Sequence, residues 1–302
     1  MAARRFIRTF RTFLAGSLLA GLSVIARPAV AAPPGLRVDF IDVGQGDAAL
    51  VTSPAGKTVL IDGGPAHHAA ALTAFLAAHV HGPLDLILLS HRHEDHLGGL
   101  PAAVRQTGAR MFLDAPVAHA GPDYERLMRE LEARGVPARQ ATRGRRIDLG
   151  GGAVLTLLGP PEPPITGSRS DVNANSVVAR LTYGGVSILF AGDAESPTEA
   201  WLLDSGQELH ADVLKVAHHG SRYASGMRFL RAVRPSVAVI SAGAGNEYGH
   251  PARVTLDRLA RVGAAVYRTD LNGDVTVETD GTSVRVHSAR APGPATQALA
   301  IP

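Results

Sequence analysis

The sequence predicts an α/β (α+β) protein built as one domain, and three observations lead there. A buried-strand run, Leu84-Asp85-Leu86-Ile87-Leu88-Leu89, passes directly into a polar loop and then into an apolar helical pattern. Upstream, three short strand-like stretches follow one another with only turns between them. The chain also has the make-up of a globular fold with a sizeable core: 302 residues, 45% hydrophobic and 19% charged.

In order, residues 37–42 read as a strand with Val38 and Phe40 on one face. Gly44-Gln45-Gly46-Asp47 is a tight turn, and 48–52 and 58–62 are two more strands joined by Ser53-Pro54-Ala55-Gly56, an antiparallel meander. His67 and His68 open an alanine-rich helix that runs to about His79; these histidines and His81 read as surface or helix-end residues. After the strand 84–89 and its loop, a helix continues through 101–106, then a short strand at 111–113 and a helix at 124–134 with Leu127 and Leu131 one turn apart. Gly159-Pro160-Pro161-Glu162-Pro163-Pro164 breaks the chain into a loop. Residues 176–181 and 186–190 form a hairpin across Tyr183-Gly184-Gly185. A strand at 212–217 carries Lys215 inward or at its end, 237–240 is another, 254–262 is a helix, and 267–269, 275–278 and 284–287 are closing strands. No internal repeat or second domain is visible.

The chemistry is concentrated in Ser90-His91-Arg92-His93-Glu94-Asp95-His96-Leu97-Gly98-Gly99, where three imidazoles and two carboxylates fall within six residues on a strand-to-helix loop. Neutral imidazole and carboxylate suit zinc or manganese. His91 and His93, two apart, can grip one ion, and Asp95 and His96 a second.

This H-x-H-x-D-H pattern after a hydrophobic strand resembles the metal signature of the metallo-β-lactamase superfamily. Phe40-Ile41-Asp42-Val43-Gly44-Gln45-Gly46-Asp47-Ala48, Leu60-Ile61-Asp62-Gly63-Gly64, Phe190-Ala191-Gly192-Asp193 and Leu214-Lys215-Val216-Ala217-His218-His219-Gly220-Ser221 narrow the likeness. They resemble the soluble hydrolase domain of the ComEC-type competence DNA-uptake proteins, in the same order and over roughly residues 36–286.

The resemblance implies a four-layer αββα sandwich, two mixed sheets flanked by helices, with two divalent ions, Zn or Mn, at one edge. His91, His93, Asp95 and His96 would be ligands, Asp193 would bridge both ions, and His250, in Tyr248-Gly249-His250-Pro251, would be the last ligand of the second ion. Asp62 would accept a hydrogen bond from a ligand histidine or the loop backbone and hold it in place. Many superfamily members place a third histidine for the first ion before the hairpin; this chain has Asp171-Val172-Asn173-Ala174-Asn175-Ser176 there. Asp171 or a water would complete that site, and the harder donor set keeps manganese beside zinc and argues against a β-lactamase. Asp95 would also orient the attacking water, His218 or His219 would serve as general acid or base, and Lys215, one of two lysines in the chain, would neutralise a phosphate oxygen. The function implied is a metal-dependent phosphodiesterase or nuclease acting on DNA or another phosphodiester. The alternatives are an ester, lactone or thioester hydrolase of the same fold, or a binding protein that keeps the fold without the chemistry.

Composition adds exclusions. There is no cysteine, so disulfides and thiolate metal sites are ruled out. Residues 1–31 read as an export signal: Arg4, Arg5, Arg8 and Arg11 precede an apolar stretch too short to span a bilayer, and Ala29-Val30-Ala31 offers a cleavage site. Arg4-Arg5 hints at twin-arginine export. The expected location is periplasmic or secreted, with no membrane contact beyond this signal and no channel of its own. The formal charge of +3 includes five arginines and no acid in residues 1–31, so the remainder stands at −2 and has no global basic field to recruit DNA. Arg139, Arg143, Arg145 and Arg146 form the one dense basic run, read as a solvated rim or else a local phosphate-contacting edge. The hydrolase domain is expected over 32–290, with 291–302, rich in Ala and Pro, as a flexible tail; nothing in the sequence speaks to oligomeric state.

Overall fold

The N-terminal meander is present: β1 (Leu36–Phe40), β2 (Ala49–Thr52) and β3 (Thr58–Ile61) pair antiparallel in sequence order. A computed structural model describes residues 35–116 and 121–290; the expected export signal and tail lie outside the described residues. From β3 the sheet continues in parallel through β4 (Leu86–Leu89), β5 (Phe112–Asp114) and β6 (Ala138–Gln140). On its other side β14 (Val275–Thr279) and β15 (Val284–Ser288) add antiparallel to β1, giving eight strands in the order β15-β14-β1-β2-β3-β4-β5-β6.

The second sheet begins with the antiparallel β7 (Arg146–Gly150), β8 (Ala153–Leu157), β9 (Ala179–Tyr183) and β10 (Val186–Phe190). It turns parallel through β11 (Val213–Lys215), β12 (Val237–Ile240) and β13 (Ala265–Arg268). The helices are α1 (Ala69–His79), α2 (Glu94–Leu97), α3 (Leu100–Thr107), α4 (Pro122–Ala133), α5 (Asp171–Ala174), α6 (Ser196–Asp204), α7 (Met227–Val233), α8 (Arg253–Arg261) and α9 (Thr269–Asn272).

The core divides into three apolar layers, which makes the four-layer sandwich. Val38, Phe40, Leu86, Leu88, Ile188, Phe190, Val213 and Val239 fill the space between the sheets. Ile87, Leu89 and Phe112 turn the other way and pack under Leu72 and Leu76 of α1, Leu100 and Val104 of α3, and Leu127 and Leu131 of α4. Leu189, Leu214 and Ile240 do the same beneath Leu202, Phe229, Leu230 and Leu259 of α6, α7 and α8. Alternate residues of β4 therefore serve two cores, which is why its sequence reads as an unbroken apolar run.

The sequence reading placed no element over β6–β8, nor over α6 and α7. The basic run falls in that unread stretch. Arg139 lies on the edge strand β6 and Arg146 on the edge strand β7, both exposed, and Arg143 lies 5.5 Å from the Trp201 ring centroid.

Candidate metal centre

The candidate residues hang from the carboxyl ends of parallel strands, where the chain leaves the sheet and side chains can converge. Asp62 follows β3, the H-x-H-x-D-H loop follows β4, Asp193 follows β10 and His218-His219 follow β11. Phe190 of β10 lies opposite Lys215 of β11, so Asp193 and His218 stand the same three residues beyond the ladder. The close approach of these loops requires glycine. A Cβ on Gly46 would meet the Asp95 carbonyl oxygen at 2.3 Å, and one on Gly192 would meet the Ser90 Cβ at 2.9 Å.

Asp62, His218 and His219 all hold left-handed backbone, with φ of 59°, 49° and 52°. Such conformations cost about 1–3 kcal/mol each and persist where the surroundings over-determine them. Here the strain sets adjacent imidazoles on either side of one carboxylate. His218 Nε2 lies 3.6 Å from Asp193 Oδ2, and His219 Nε2 lies 3.8 Å from Asp193 Oδ1.

Two groups of donor atoms result, sharing Asp193: Asp47, His96, His219 and Asp193 form the inner one, His91, His93 and Asp193 the outer one, and Asp95 and His218 border them. In the inner group His96 Nε2 is 3.2 Å from Asp193 Oδ1, and His219 Nε2 is 3.1 Å from Asp95 Oδ2. The far side of each ring is held. His96 Nδ1 lies 2.9 Å from Asp62 Oδ2, and Asp62 in turn accepts the Ser90 N–H and hydroxyl, each at 2.7 Å. His219 Nδ1 faces the Ser241 carbonyl at 3.0 Å and Asp47 Oδ1 at 3.2 Å. A carbonyl only accepts, so His219 carries a proton on Nδ1, and a cation that displaced the second proton from Nε2 would meet that lone pair turned to the cluster. In the outer group His91 Nε2 is 3.1 Å from His93 Nδ1 and 3.6 Å from Asp193 Oδ2. His218 approaches the same oxygen from the cleft, its Nδ1 at ion-pair distance, 3.0 Å, from Glu195 Oε1 but out of line for a hydrogen bond.

These residues fit divalent cations. His96 Nε2 and Asp193 Oδ1 are buried, face each other and have no hydrogen-bond partner among the described residues. Burial opposes charge on His219, yet Asp193 and Asp47 outweigh it and hold its pKa at about 10; the carboxylates of Asp193, Asp62, Asp95 and Asp47 likewise overcome burial to raise that of His96. Burial would raise Asp193, but His96, His219 and His91 hold it well below the usual carboxylate range. The same negative charge that draws protons onto these rings draws a cation.

Two expected ligands, Asp171 and His250, and the expected phosphate partner Lys215 stand outside these groups. The Asp171 carboxylate accepts the Gly167 N–H at 3.0 Å and the Ser168 N–H and hydroxyl at 2.7 and 2.6 Å, so it closes its own loop and joins neither donor group. Lys215 does not face the cleft. Its register partners Phe190 and Val239 point between the sheets, and its buried ammonium pairs with Asp47 Oδ2 at 2.5 Å and donates to the Val216 carbonyl. His250 lines the cleft wall, its ring 5.6 Å from that of His218 and 6.3 Å from that of His219, outside both donor groups. Asp47 was legible only as a turn residue; a buried acid after a Gly-Gln-Gly turn was the available signal.

The centre opens onto a cleft of about 910 Å³ lined by His93, Asp95, Asn173, Asp193, His218 and His250, with Arg169, Arg222, Arg253, Tyr223 and Tyr248 on its walls. The basic run at 139–146 does not line it.

Comparison with known proteins agrees with this fold. The family model described as the metallo-beta-lactamase superfamily matches residues 41–244. The ComE operon protein 3 of Bacillus subtilis (strain 168) is 30% identical over 255 residues, covering 79% of this chain and 32% of that protein. The competence protein ComA of Neisseria gonorrhoeae is 33% identical over 261 residues, covering 85% of this chain and 34% of that protein. The chain thus spans about a third of the length of these curated relatives. Among solved structures, the metallo-beta-lactamase fold protein YhfI from Bacillus subtilis superposes with a TM-score of 0.56 at 13% identity, over 81% of this chain and all of that one.

Proposed function

Since the chain belongs to the metallo-beta-lactamase superfamily, we propose that this metallohydrolase is an exported phosphodiesterase or nuclease using two divalent ions, Zn or Mn. The observation that carries the reading is the pair of donor groups sharing Asp193 at the floor of a polar, arginine-walled cleft. Bound divalent ions supply water activation and charge neutralisation, and paired sites suit in-line displacement at phosphorus. His91, His93 and His218 surround the outer position; His96, His219 and Asp95 surround the inner one. Asp95, 30% exposed with one oxygen on His219, is placed to orient a water from the cleft side. With their Nε2 atoms turned to Asp193, His218 and His219 act as ligands in this reading rather than as the general acid expected from sequence. The likeness to competence proteins favours DNA among phosphodiesters. Export rests on the basic, apolar and small-residue pattern of residues 1–31.

The test is a screen of Mn, Zn and Mg against single-stranded DNA, duplex DNA, bis-p-nitrophenyl phosphate, a lactone and a β-lactam, with Asp95→Asn beside wild type. Phosphodiester cleavage that disappears in the variant is expected. Turnover of the lactone or β-lactam alone would replace this reading with ester or amide hydrolysis, and identical traces for both proteins would remove the metal mechanism.

A further inference from the structure

Four large apolar or aromatic side chains are exposed among the described residues, and both tyrosines among them, Tyr223 at 45% and Tyr248 at 63%, lie on the walls of the cleft. Singly exposed apolar side chains are ordinary, but two rings on the walls of one cleft beside a functional centre offer flat faces to whatever enters it. The rings come from different loops, Tyr223 from the chain after His218-His219 and Tyr248 from the chain after β12. Each is braced on one side. The Arg169 guanidinium lies 3.9 Å from the Tyr223 ring centroid, and Tyr248 stacks on His250 with centroids 5.8 Å apart and planes 23° off parallel. A braced ring loses little entropy when a flat ligand settles against it. Arginines 169, 222 and 253 lie on the same walls; Arg169 also reaches Glu195 at 3.7 Å, and Arg253 Nε donates to Asp257.

We propose that this cleft binds single-stranded nucleic acid, with bases stacked on Tyr223 and Tyr248 and neighbouring phosphates on Arg169, Arg222 and Arg253. The proposal rests on the phosphodiesterase reading of the metal centre and names its substrate class. Aromatic platforms interleaved with arginine are how sequence-tolerant single-strand sites are built. In a duplex the base faces are already stacked on one another, so the tyrosines have nothing to grip. A small ester or lactone would leave one or both rings unused. With a chain that is net negative after residue 31, and only three arginines on the cleft walls, stacking must supply much of the affinity.

The experiment measures binding of metal-loaded protein to fluorescent phosphorothioate oligothymidylate, oligouridylate, the matching duplex, and an oligomer of the same backbone with abasic sugars. Wild type is expected to favour a base-bearing single strand over the abasic oligomer and over duplex by tenfold or more, and the better of the two sugars identifies DNA or RNA. Tyr223→Ala with Tyr248→Ala should erase the preference for bases, while the Tyr→Phe pair should keep it, which separates stacking from damage to the fold. The slope of log affinity against log salt should be shallow, about −2 for three phosphate contacts. Equal binding of abasic and base-bearing strands by wild type, or duplex bound as tightly as single strand, overturns the proposal. Methyl p-nitrophenyl phosphate, a diester without a base, keeps the two readings apart. Its hydrolysis alongside equal abasic binding removes the single-strand proposal and leaves the phosphodiesterase standing, whereas no hydrolysis of any phosphodiester removes the reading beneath it.

Discussion

The two donor groups that share Asp193 are built to different standards. The inner one is the more tightly braced, although Asp95 beside it faces the cleft. His96 and His219 are 0% and 2% exposed, and each has its far nitrogen tied to an acceptor: Asp62 for His96, the Ser241 carbonyl and Asp47 for His219. Lys215 then neutralises Asp47 from between the sheets. The outer one is looser. His218 is 17% exposed on the cleft, and its contact with Glu195 is an ion pair without hydrogen-bond alignment. Tautomer and ring angle are fixed before binding on the inner side and left partly to the ligand on the outer side. The inner position should therefore hold its ion tightly and the outer one exchange it, a division suited to chemistry that happens at the cleft.

The largest effect should come from removing what the groups share. Asp193→Asn keeps the volume but takes a buried negative charge from both. Metal content after dialysis is expected to fall at both positions, with kcat/KM on a phosphodiester down by about a thousandfold or more, several kcal/mol of charge stabilisation. Two ions retained per chain would show that Asp193 joins the groups only in space.

Glu199 tests the support next to the outer group, one helical turn from Glu195, whose carboxylate faces His218. It is 4% exposed, accepts the N–H groups of Ser225 and Gly226, and has Arg258 and Glu195 as charged neighbours; burial dominates and pushes its pKa up to about 7. A raised carboxyl pKa means the folded state binds the proton more readily than the unfolded one. Stability is therefore lost as pH rises from about 4.5 through about 7, by up to about 3 kcal/mol. Glu199→Gln should raise Tm at pH 8 and leave it nearly unchanged at pH 4.5. A pH-independent shift would mean that the carboxylate is solvated.

A tenfold to hundredfold loss of affinity for the inner ion is expected from Asp62→Asn, the usual cost of losing the group that orients a ligand histidine. Competition with a chromophoric chelator would read it. The sharpening result is selectivity: the outer constant should barely move. Equal weakening of both would mean that Asp62 acts by holding the Ser90 loop rather than His96.

Much of this was legible in the chain. H-x-H-x-D-H and Gly-Asp sit at strand ends, where a period-2 run stops and polar residues begin, so their location could be read locally. The supporting task of Asp62 came from the family resemblance rather than from local pattern. What escaped depended on which way a strand turns its side chains. Lys215 reads as inward or at the strand's end, and the resemblance makes it a phosphate partner; the register of β11 with β10 and β12 settles on the inward choice and sends it between the sheets. The left-handed backbone at His218 and His219 sets both rings against Asp193, and no propensity announces two non-glycine residues with positive φ in succession. β6, an exposed Ala-Arg-Gln edge strand, offers no apolar alternation to read; β7 does alternate, with Ile147 and Leu149 turned to the core against Arg146 and Asp148, and was passed over all the same.

The smallest effect is expected at Asp171, and it bears on the outer group most directly. Sequence offered Asp171 or a water in place of a missing histidine. In the structure its oxygens are committed to Gly167 and Ser168, while His218 brings an imidazole nitrogen to 3.6 Å from Asp193 Oδ2, the same distance as His91. If His218 supplies the third nitrogen, Asp171→Ala should change neither the number of ions bound nor the outer affinity by more than about twofold, since no first-ligand or orienting contact is lost. His218→Gln should weaken the outer ion at least about tenfold and spare the inner one. Manganese-loaded protein offers a readout independent of turnover, because loss of an imidazole nitrogen removes its hyperfine coupling from the pulsed electron paramagnetic resonance spectrum. A spectrum altered by Asp171→Ala and untouched by His218→Gln would reverse the assignment and return the outer group to an oxygen ligand.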